Sequence, residues 1–256
     1  MTTDVLTTEH HQFFDHIIAS PDDDAPRLAF ADWLDAQGNV VHSDFIRVQC
    51  EMDTLSIGSP RWKELRRRER TILRDHPADW FGKLYGRLKN CYFRRGLLHS
   101  VRLHAEVFVQ HPGKVFGFGP INMVKLDGGA AFIQQISDLF YLRYVTMLDL
   151  SSNKLLPNHI SILAQSRSVT NLNWLNLRDN QLGTDGAVAL ANSPSFIRLE
   201  SLRLENTEIN DDGLLALAES SHLPSLKCVY LSSVDCRYRG MKRLVERYGN
   251  GVIQSS

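Results

Sequence analysis

No stretch of this chain approaches the eighteen or so uninterrupted apolar residues that cross a bilayer. Its opening, Met1-Thr2-Thr3-Asp4, has neither the basic nor the apolar region of a secretory signal. Cysteine is scarce: Cys50, Cys91, Cys228 and Cys236 are scattered without C-x-x-C spacing, which predicts reduced thiols in a cytoplasmic protein. Charge of one sign is not in excess, with 29 Lys and Arg against 29 Asp and Glu, so wrapping nucleic acid is not the chain's main business. P-loop, G-x-G-x-x-G and G-x-S-x-G motifs are missing, and so are H-E-x-x-H and the EF-hand loop. No reaction, metal or cofactor is expected. What is present is an ordinary globular composition, 43% hydrophobic and 23% charged over 256 residues, enough to bury a sizeable core.

Two nearly identical phrases stand out. "LDLSSNKL" begins at Leu148 and "LNLRDNQL" at Leu175, 27 residues later. Four rows share this frame: Val145-x-x-Leu148-x-Leu150-x-x-Asn153, Leu172-x-x-Leu175-x-Leu177-x-x-Asn180, Leu199-x-x-Leu202-x-Leu204-x-x-Thr207 and Leu226-x-x-Val229-x-Leu231-x-x-Val234. Two looser rows precede them, Leu98-x-x-Val101-x-Leu103 and Ile121-x-x-Val124-x-Leu126, at spacings of 23 and 24. The short L-x-L alternation predicts a strand with one buried face. Behind each regular strand, 158–165, 184–191 and 210–218 predict short helices, the last with Asn210 as N-cap. One strand and one helix per 20–29 residues is the leucine-rich-repeat signature. At 27 residues it resembles the ribonuclease-inhibitor-like class, an α/β solenoid with parallel strands on the concave side and helices on the convex side. Asn153 and Asn180 are expected to turn inward and satisfy backbone groups that stacking buries. Thr207 can do part of this and Val234 cannot. The ladder therefore fades toward a C-terminal capping helix on Met241, Leu244, Val245 and Tyr248.

No repeat is visible before residue 91; helical stripes are. Phe13, Phe14, Ile17 and Ile18 mark a first helix. Leu28, Ala31 and Leu34 mark a second, opened by Asp22-Asp23-Asp24 and stopped near Gly38. Phe45, Val48, Gln49 and Met52 mark a third, and Trp62, Leu65, Glu69, Ile72 and Leu73 a fourth with arginines outside. The organisation predicted is a small all-α domain over 1–90 and a repeat domain over 91–256. "SPDDDAPRLAFADWLDAQGN" followed by "SDFIRVQCEM" resembles the bacterial repeat-companion domain, a helical module found in front of leucine-rich repeats. The matching residues are Pro21, Asp22, Asp24, Arg27, Leu28, Ala31, Asp32, Trp33, Leu34, Gly38, Phe45, Ile46, Arg47 and Gln49. "FRRGLLHSVRL" resembles the junction before the repeats in such proteins. The resemblance implies architecture and carries no established activity.

Among candidate chemical features, the triple aspartate with His10, His11 and His16 upstream reads as a helix cap with solvated charge rather than a metal site. Arg27, Asp32 and Arg47 read as a partly buried ion network that packs three helices, with Trp33 beside it. Cys50 and Cys91 read as packing residues. The run from Arg61 to Arg74, joined by Arg94-Arg95, is the one hint of phosphate contact, diluted by Glu64, Glu69 and Asp75.

The function expected is therefore a non-catalytic scaffold or regulator that binds a protein through its concave sheet; the alternative is nucleic-acid association through helix 61–74. Strand parity sends the residues beside the leucines outward. One outward column is Arg102, Lys125, Asp149, Asn176, Arg203 and Tyr230; a second is Ser100, Met123, Met147, Trp174, Ser201 and Cys228; a third is His104, Asp127, Ser151, Arg178, Glu205 and Ser232. Met123, Met147 and Trp174 would then lie side by side as an apolar contact patch, unless the N-terminal helices fold back over it.

Overall fold

The protein is described here from a computed structural model, over residues 6–75, 84, 86–232 and 239–255. Helices α1 (Thr8–Ala19), α2 (Ala25–Ala36), α3 (Val40–Asp53) and α4 (Pro60–Asp75) come first, followed by strands β1 (Leu88–Arg94) and β2 (Leu97–His104). Then come α5 (Ala105–Gln110), α6 (Pro112–Phe116), β3 (Met123–Asp127), α7 (Ile133–Asp138), β4 (Met147–Asp149) and α8 (Pro157–Ala164). The chain continues through β5 (Trp174–Asn176), α9 (Gly183–Ala191), β6 (Ser201–Arg203), α10 (Asp211–Glu219), β7 (Cys228–Leu231), α11 (Arg239–Tyr248) and β8 (Ile253–Ser255). These elements form two compact units, Met1–Val101 with Gly113–Ile121, and Arg102–Pro112 with Asn122–Ser256.

In the first unit, four helices lie where the apolar stripes place them. Their inner faces differ in detail. In α2 the buried set is Arg27, Phe30, Ala31 and Leu34, an i, i+3, i+4, i+7 stripe. Leu28 falls one position off that stripe and is exposed, as is Ile18 of α1. Gly38 adopts φ +80°, and Asn39 N–H donates back to Leu34 O at 2.8 Å, closing α2 as a left-handed C-terminal stop. Phe45 and Val48 of α3 pack with Leu65 and Ile72 of α4. Strand β1 was not foreseen. It joins β2 through Arg95 and Gly96, both at positive φ, and a Cβ on Gly96 would stand 2.2 Å from Ile46 Cα. Only glycine lets the turn meet α3 this closely.

The expected Arg27–Asp32–Arg47 network does not exist as drawn. Arg27 is buried and donates to main-chain carbonyls, Asp23 O at 2.6 Å and Pro21 O at 2.8 Å. Burial is the main cause that lowers its pKa. Asp32 is 76% exposed and, among the described residues, meets only Arg47, at 2.7 Å, while Arg47 also reaches Asp35 at 2.7 Å. Five helical positions separate Arg27 from Asp32, a rotation of about 140°, so the two project from different faces. Trp33 is half-buried, stacked on Phe30 at 5.8 Å between centroids.

In the second unit, β3 to β8 lie side by side in chain order, each parallel to the next. Register is continuous: Val124, Leu148, Leu175, Leu202 and Val229 are partners across five strands, and all are buried. Three helix columns repeat at the same 27-residue period. Leu163, Leu190, Leu217 and Leu244 are buried in α8 to α11. Gly186, Gly213 and Gly240 sit at helix–helix crossings, where a Cβ on Gly240 would stand 2.5 Å from Asp211 O. Ser166, Ser193 and Ser220 each donate to a carbonyl at the end of the preceding helix, Ser137 O, Ala164 O at 2.7 Å and Ala191 O. Arg247 stands 27 residues beyond Ser220 and does the same to Ala218 O at 2.8 Å. Helix α11, expected as an atypical cap, thus has the build of another row, and it is followed by β8, paired Val229↔Ile253. Among the described residues, no helix is long and apolar enough to cross a membrane.

Candidate functional site

The asparagine ladder sets the geometry of the strand exits. Asn153 accepts from Gly129 N–H and donates to Leu126 O at 2.8 Å and Ser151 O at 3.0 Å. Asn180 accepts from Asn153 N–H at 3.1 Å and Leu155 N–H at 2.9 Å, and donates to Leu150 O at 3.0 Å and Leu177 O at 2.7 Å. Thr207 retains one bond, to Leu204 O at 2.6 Å. Val234, like Cys236, lies outside the described residues. Just before each ladder residue the chain turns through a left-handed position, Ser152, Asp179 and Asn206 with φ of 57°, 57° and 55°. Short polar side chains tolerate that conformation by bonding locally. Here Asn206 Nδ2 and Ser152 Oγ donate to Asp179 at 2.8 and 3.3 Å, and the Asn206 bond is the main reason the Asp179 carboxyl titrates below its ordinary value.

The outward columns are in the register that parity requires. Met123, Met147, Trp174, Ser201 and Cys228 are successive partners, and so are Lys125, Asp149, Asn176, Arg203 and Tyr230. Their exposure divides them. Met123, Met147 and Trp174 are half-buried, and so are Arg102, Lys125, Arg178, Arg203 and Tyr230; Asp149, Asn176 and Glu205 are buried. The buried three are tied into the sheet. Asp149 Oδ1 accepts from Ser151 N–H at 2.9 Å, and Asn176 Oδ1 accepts from Arg178 N–H at 3.0 Å, the same turn one row apart. Glu205 accepts from Arg203, whose guanidinium also lies 5.0 Å from the Tyr230 ring centroid. That bond to Glu205 is the main cause that raises the Arg203 pKa.

Opposite charges on this face are thus largely spent on each other. Arg102 holds Asp127 with three bonds, of 2.9, 3.0 and 3.2 Å. Lys125 reaches Asp149 at 3.0 Å and Ser151 at 2.9 Å, and Arg178 reaches Asp179 at 3.2 Å. What remains is an apolar strip, Met123–Met147–Trp174, beside a neutralised polar lattice. Such a surface can bury against another protein without leaving charges unpaired.

The basic helix is organised differently from a phosphate cradle. In α4, Arg61 is held by Glu51 at 2.6 Å and Glu64 at 3.0 Å, Arg68 by Asp44 at 2.6 Å, and Arg74 by Asp75 at 2.5 Å. Arg66 meets Glu69 within the helix, and Gln49 reaches the same carboxylate at 2.7 Å. Burial pushes the Cys50 thiol up to about 12 and the Cys91 thiol to about 11, so neither forms a thiolate at neutral pH. Among the described residues there is no group of three or more His, Cys, Asp or Glu side chains placed to hold a metal ion.

Sequence reasoning missed the serine and glycine columns and the buried Phe30 and His42, whereas Glu69 is buried on the stripe of α4 where its spacing put it. The two columns were visible as a 27-residue recurrence of single residues. Phe30 and His42 depend on which helices meet. No curated protein matches the chain. Residues 170–191 and 199–218 match the family described as Leucine Rich repeat. The C-terminal part of the chain carries a leucine-rich-repeat region.

Proposed function

We propose that this protein is a non-catalytic, cytoplasmic scaffold or regulatory module that binds a protein partner through the open face of its repeats, with the N-terminal helices acting as a repeat-companion domain in front of a solenoid. The observation that carries the reading is the in-register strip Met123–Met147–Trp174, half-exposed on three adjacent strands about 5 Å apart. Partly exposed aromatic and methionine side chains, flanked by arginines that already have partners, make a contact surface with a small desolvation cost. The acid-paired arginines of α4 favour this protein-binding reading over phosphate contact through that helix.

The test is Trp174→Ala in the full chain, with Arg178→Ala beside it. Trp174→Ala is expected to weaken partner capture by roughly 2 kcal/mol or more while the melting temperature stays close to that of the unaltered protein. Unchanged capture would move the contact off this face. A large loss of stability would make Trp174 a packing residue.

A further inference from the structure

Charge on the repeats is sorted along the strand direction. The segments that lead into β4 to β7 (139–146, 166–173, 193–200 and 220–227) hold Arg143, Arg167, Arg198 and Lys227 against one acid, Glu200. Lys227 and Glu200 pair with each other at 2.8 Å. The segments that leave β4 to β6 (150–156, 177–182 and 204–210) hold Lys154 and Arg178 against Asp179, Glu205 and Glu208, and the first turns of α9 and α10 that follow add Asp185, Asp211 and Asp212. The sheet therefore has a basic leading rim and an acidic trailing rim.

The leading rim is a continuous surface. Asn171 donates to Arg143 O at 2.7 Å and accepts from Arg198 at 3.1 Å. The turn holding Arg167 (Arg167–Val169) packs on the turn Phe140–Tyr144. Two large apolar side chains stand out of this surface, Phe140 at 53% and Ile197 at 48% exposure. The Arg143 guanidinium lies over the Phe140 ring, 4.5 Å from its centroid. Among the described residues, Arg167 and Arg198 meet no carboxylate at ion-pair distance, although both are exposed. Two guanidiniums without acids stand beside exposed apolar groups, Arg167 seven residues before Trp174 and Arg198 three before Ser201, the partner of Trp174 on the next strand, and they are complementary to one kind of surface.

We infer that the leading rim receives an acidic, apolar-anchored segment of a protein partner: its carboxylates meet Arg167 and Arg198, and its apolar side chains cover Ile197 and Phe140 and run on to Met147 and Trp174. This rests on the reading of the sheet face as the protein-binding surface and adds the partner's chemistry and direction. An acidic segment is drawn to the leading rim and repelled by the trailing one, so the sorted charge fixes which way the partner lies. Guanidiniums suit carboxylates because two parallel N–H groups match two oxygens. A polyanion such as RNA fits less well, since it gains nothing from Ile197 and runs against the acidic rim.

The experiment selects ligands for the full chain from a random peptide display library. Selected peptides are then titrated as synthetic fluorescent probes against the unaltered protein, Arg167→Glu with Arg198→Glu, and Trp174→Ala; a single-stranded RNA oligonucleotide is titrated in parallel. The expected result is enrichment of peptides that combine Asp or Glu with aromatic or aliphatic residues. Their affinity should fall about tenfold or more in both variants and weaken with salt, while the melting temperature of the charge-reversed variant stays unchanged. Neutral or basic peptides that depend on Trp174 but not on the two arginines would overturn the rim inference and leave the face reading standing. Peptides indifferent to all three residues, or no enrichment, would overturn both. RNA binding lost on charge reversal, with no peptide selected, would replace the protein partner by a nucleic acid and overturn the inference.

Discussion

At the scale of single residues, the second unit depends on side chains that take the place of water for backbone groups. Asn180 satisfies two amides and three carbonyls of the loops leaving β4 and β5. Asn180→Ala strands all of them in a dry setting, and a loss of about 3 kcal/mol or more in denaturant unfolding is expected. Asn206→Ala, one row on and exposed, should cost less, about 1 kcal/mol, chiefly because Ala is strained at its left-handed φ of 55°. In the first unit the corresponding residue is His42, buried between Phe30 and Phe118, with Nε2–H donating to Gly96 O at 3.3 Å. Burial lowers its pKa to about 4, against about 6.5 in an unfolded chain. A depressed histidine pKa means the unfolded state takes up the proton first as pH falls. The contribution is therefore complete above about pH 6.5 and is lost progressively toward pH 4, to a limit of about 3 kcal/mol. Melts of the unaltered protein and His42→Gln at pH 7, 5 and 4 test this; equal slopes would show that carboxylates alone set the acid sensitivity.

At the scale of elements, the helices are spaced by what they lack. Gly240 is buried at the crossing of α11 with α10, where a methyl group would meet Asp211 O at 2.5 Å and Leu215 N at 2.6 Å. Both obstacles are backbone and cannot swing aside, so the helices themselves must separate. Gly240→Ala is expected to lower stability by about 2 kcal/mol or more. Gly251→Ala, with nothing within 4 Å, serves as the control. If differential scanning calorimetry gives the two variants the same melting temperature, the close crossing is not what positions α11. The α2 stripe teaches a related lesson. Leu28 looked like core on hydrophobicity alone, yet Phe30 holds the inward position because the face is set by 100° per residue counted from Arg27 and Leu34.

At the scale of the whole molecule, stability in stacked rows is a sum of neighbour contacts. Ending the chain at residue 238 removes α11 and β8 and leaves Leu214 and Leu217 of α10, and Val229 and Leu231 of β7, without the last row. The expected outcome is aggregation or a broader, lower melting transition, followed by light scattering during a thermal ramp. A soluble monomer with an unchanged transition would mean that the earlier rows do not lean on the last.

The sequence by itself determined the repeat. A 27-residue period, the L-x-L strands, the asparagine ladder and the parity of the outward columns are all local consequences of residue type and spacing, and each returns in the register of β3 to β7. Tertiary structure alone decided which polar groups are spent. Asp149, Asn176 and Glu205 have outward parity but are buried, Asp149 bonded by Lys125 of the row before it and Asn176 and Glu205 by Arg178 N–H and Arg203 of their own rows. Arg27 and Asp32 are near in sequence but project from different faces of α2, so the charge that looked buried is solvated and the one that looked paired is held by carbonyls. The physical reason is common to these cases. Periodicity fixes the direction in which a side chain points, whereas its burial depends on what packs opposite it, and its pairing on which donors and acceptors the folded backbone brings within reach.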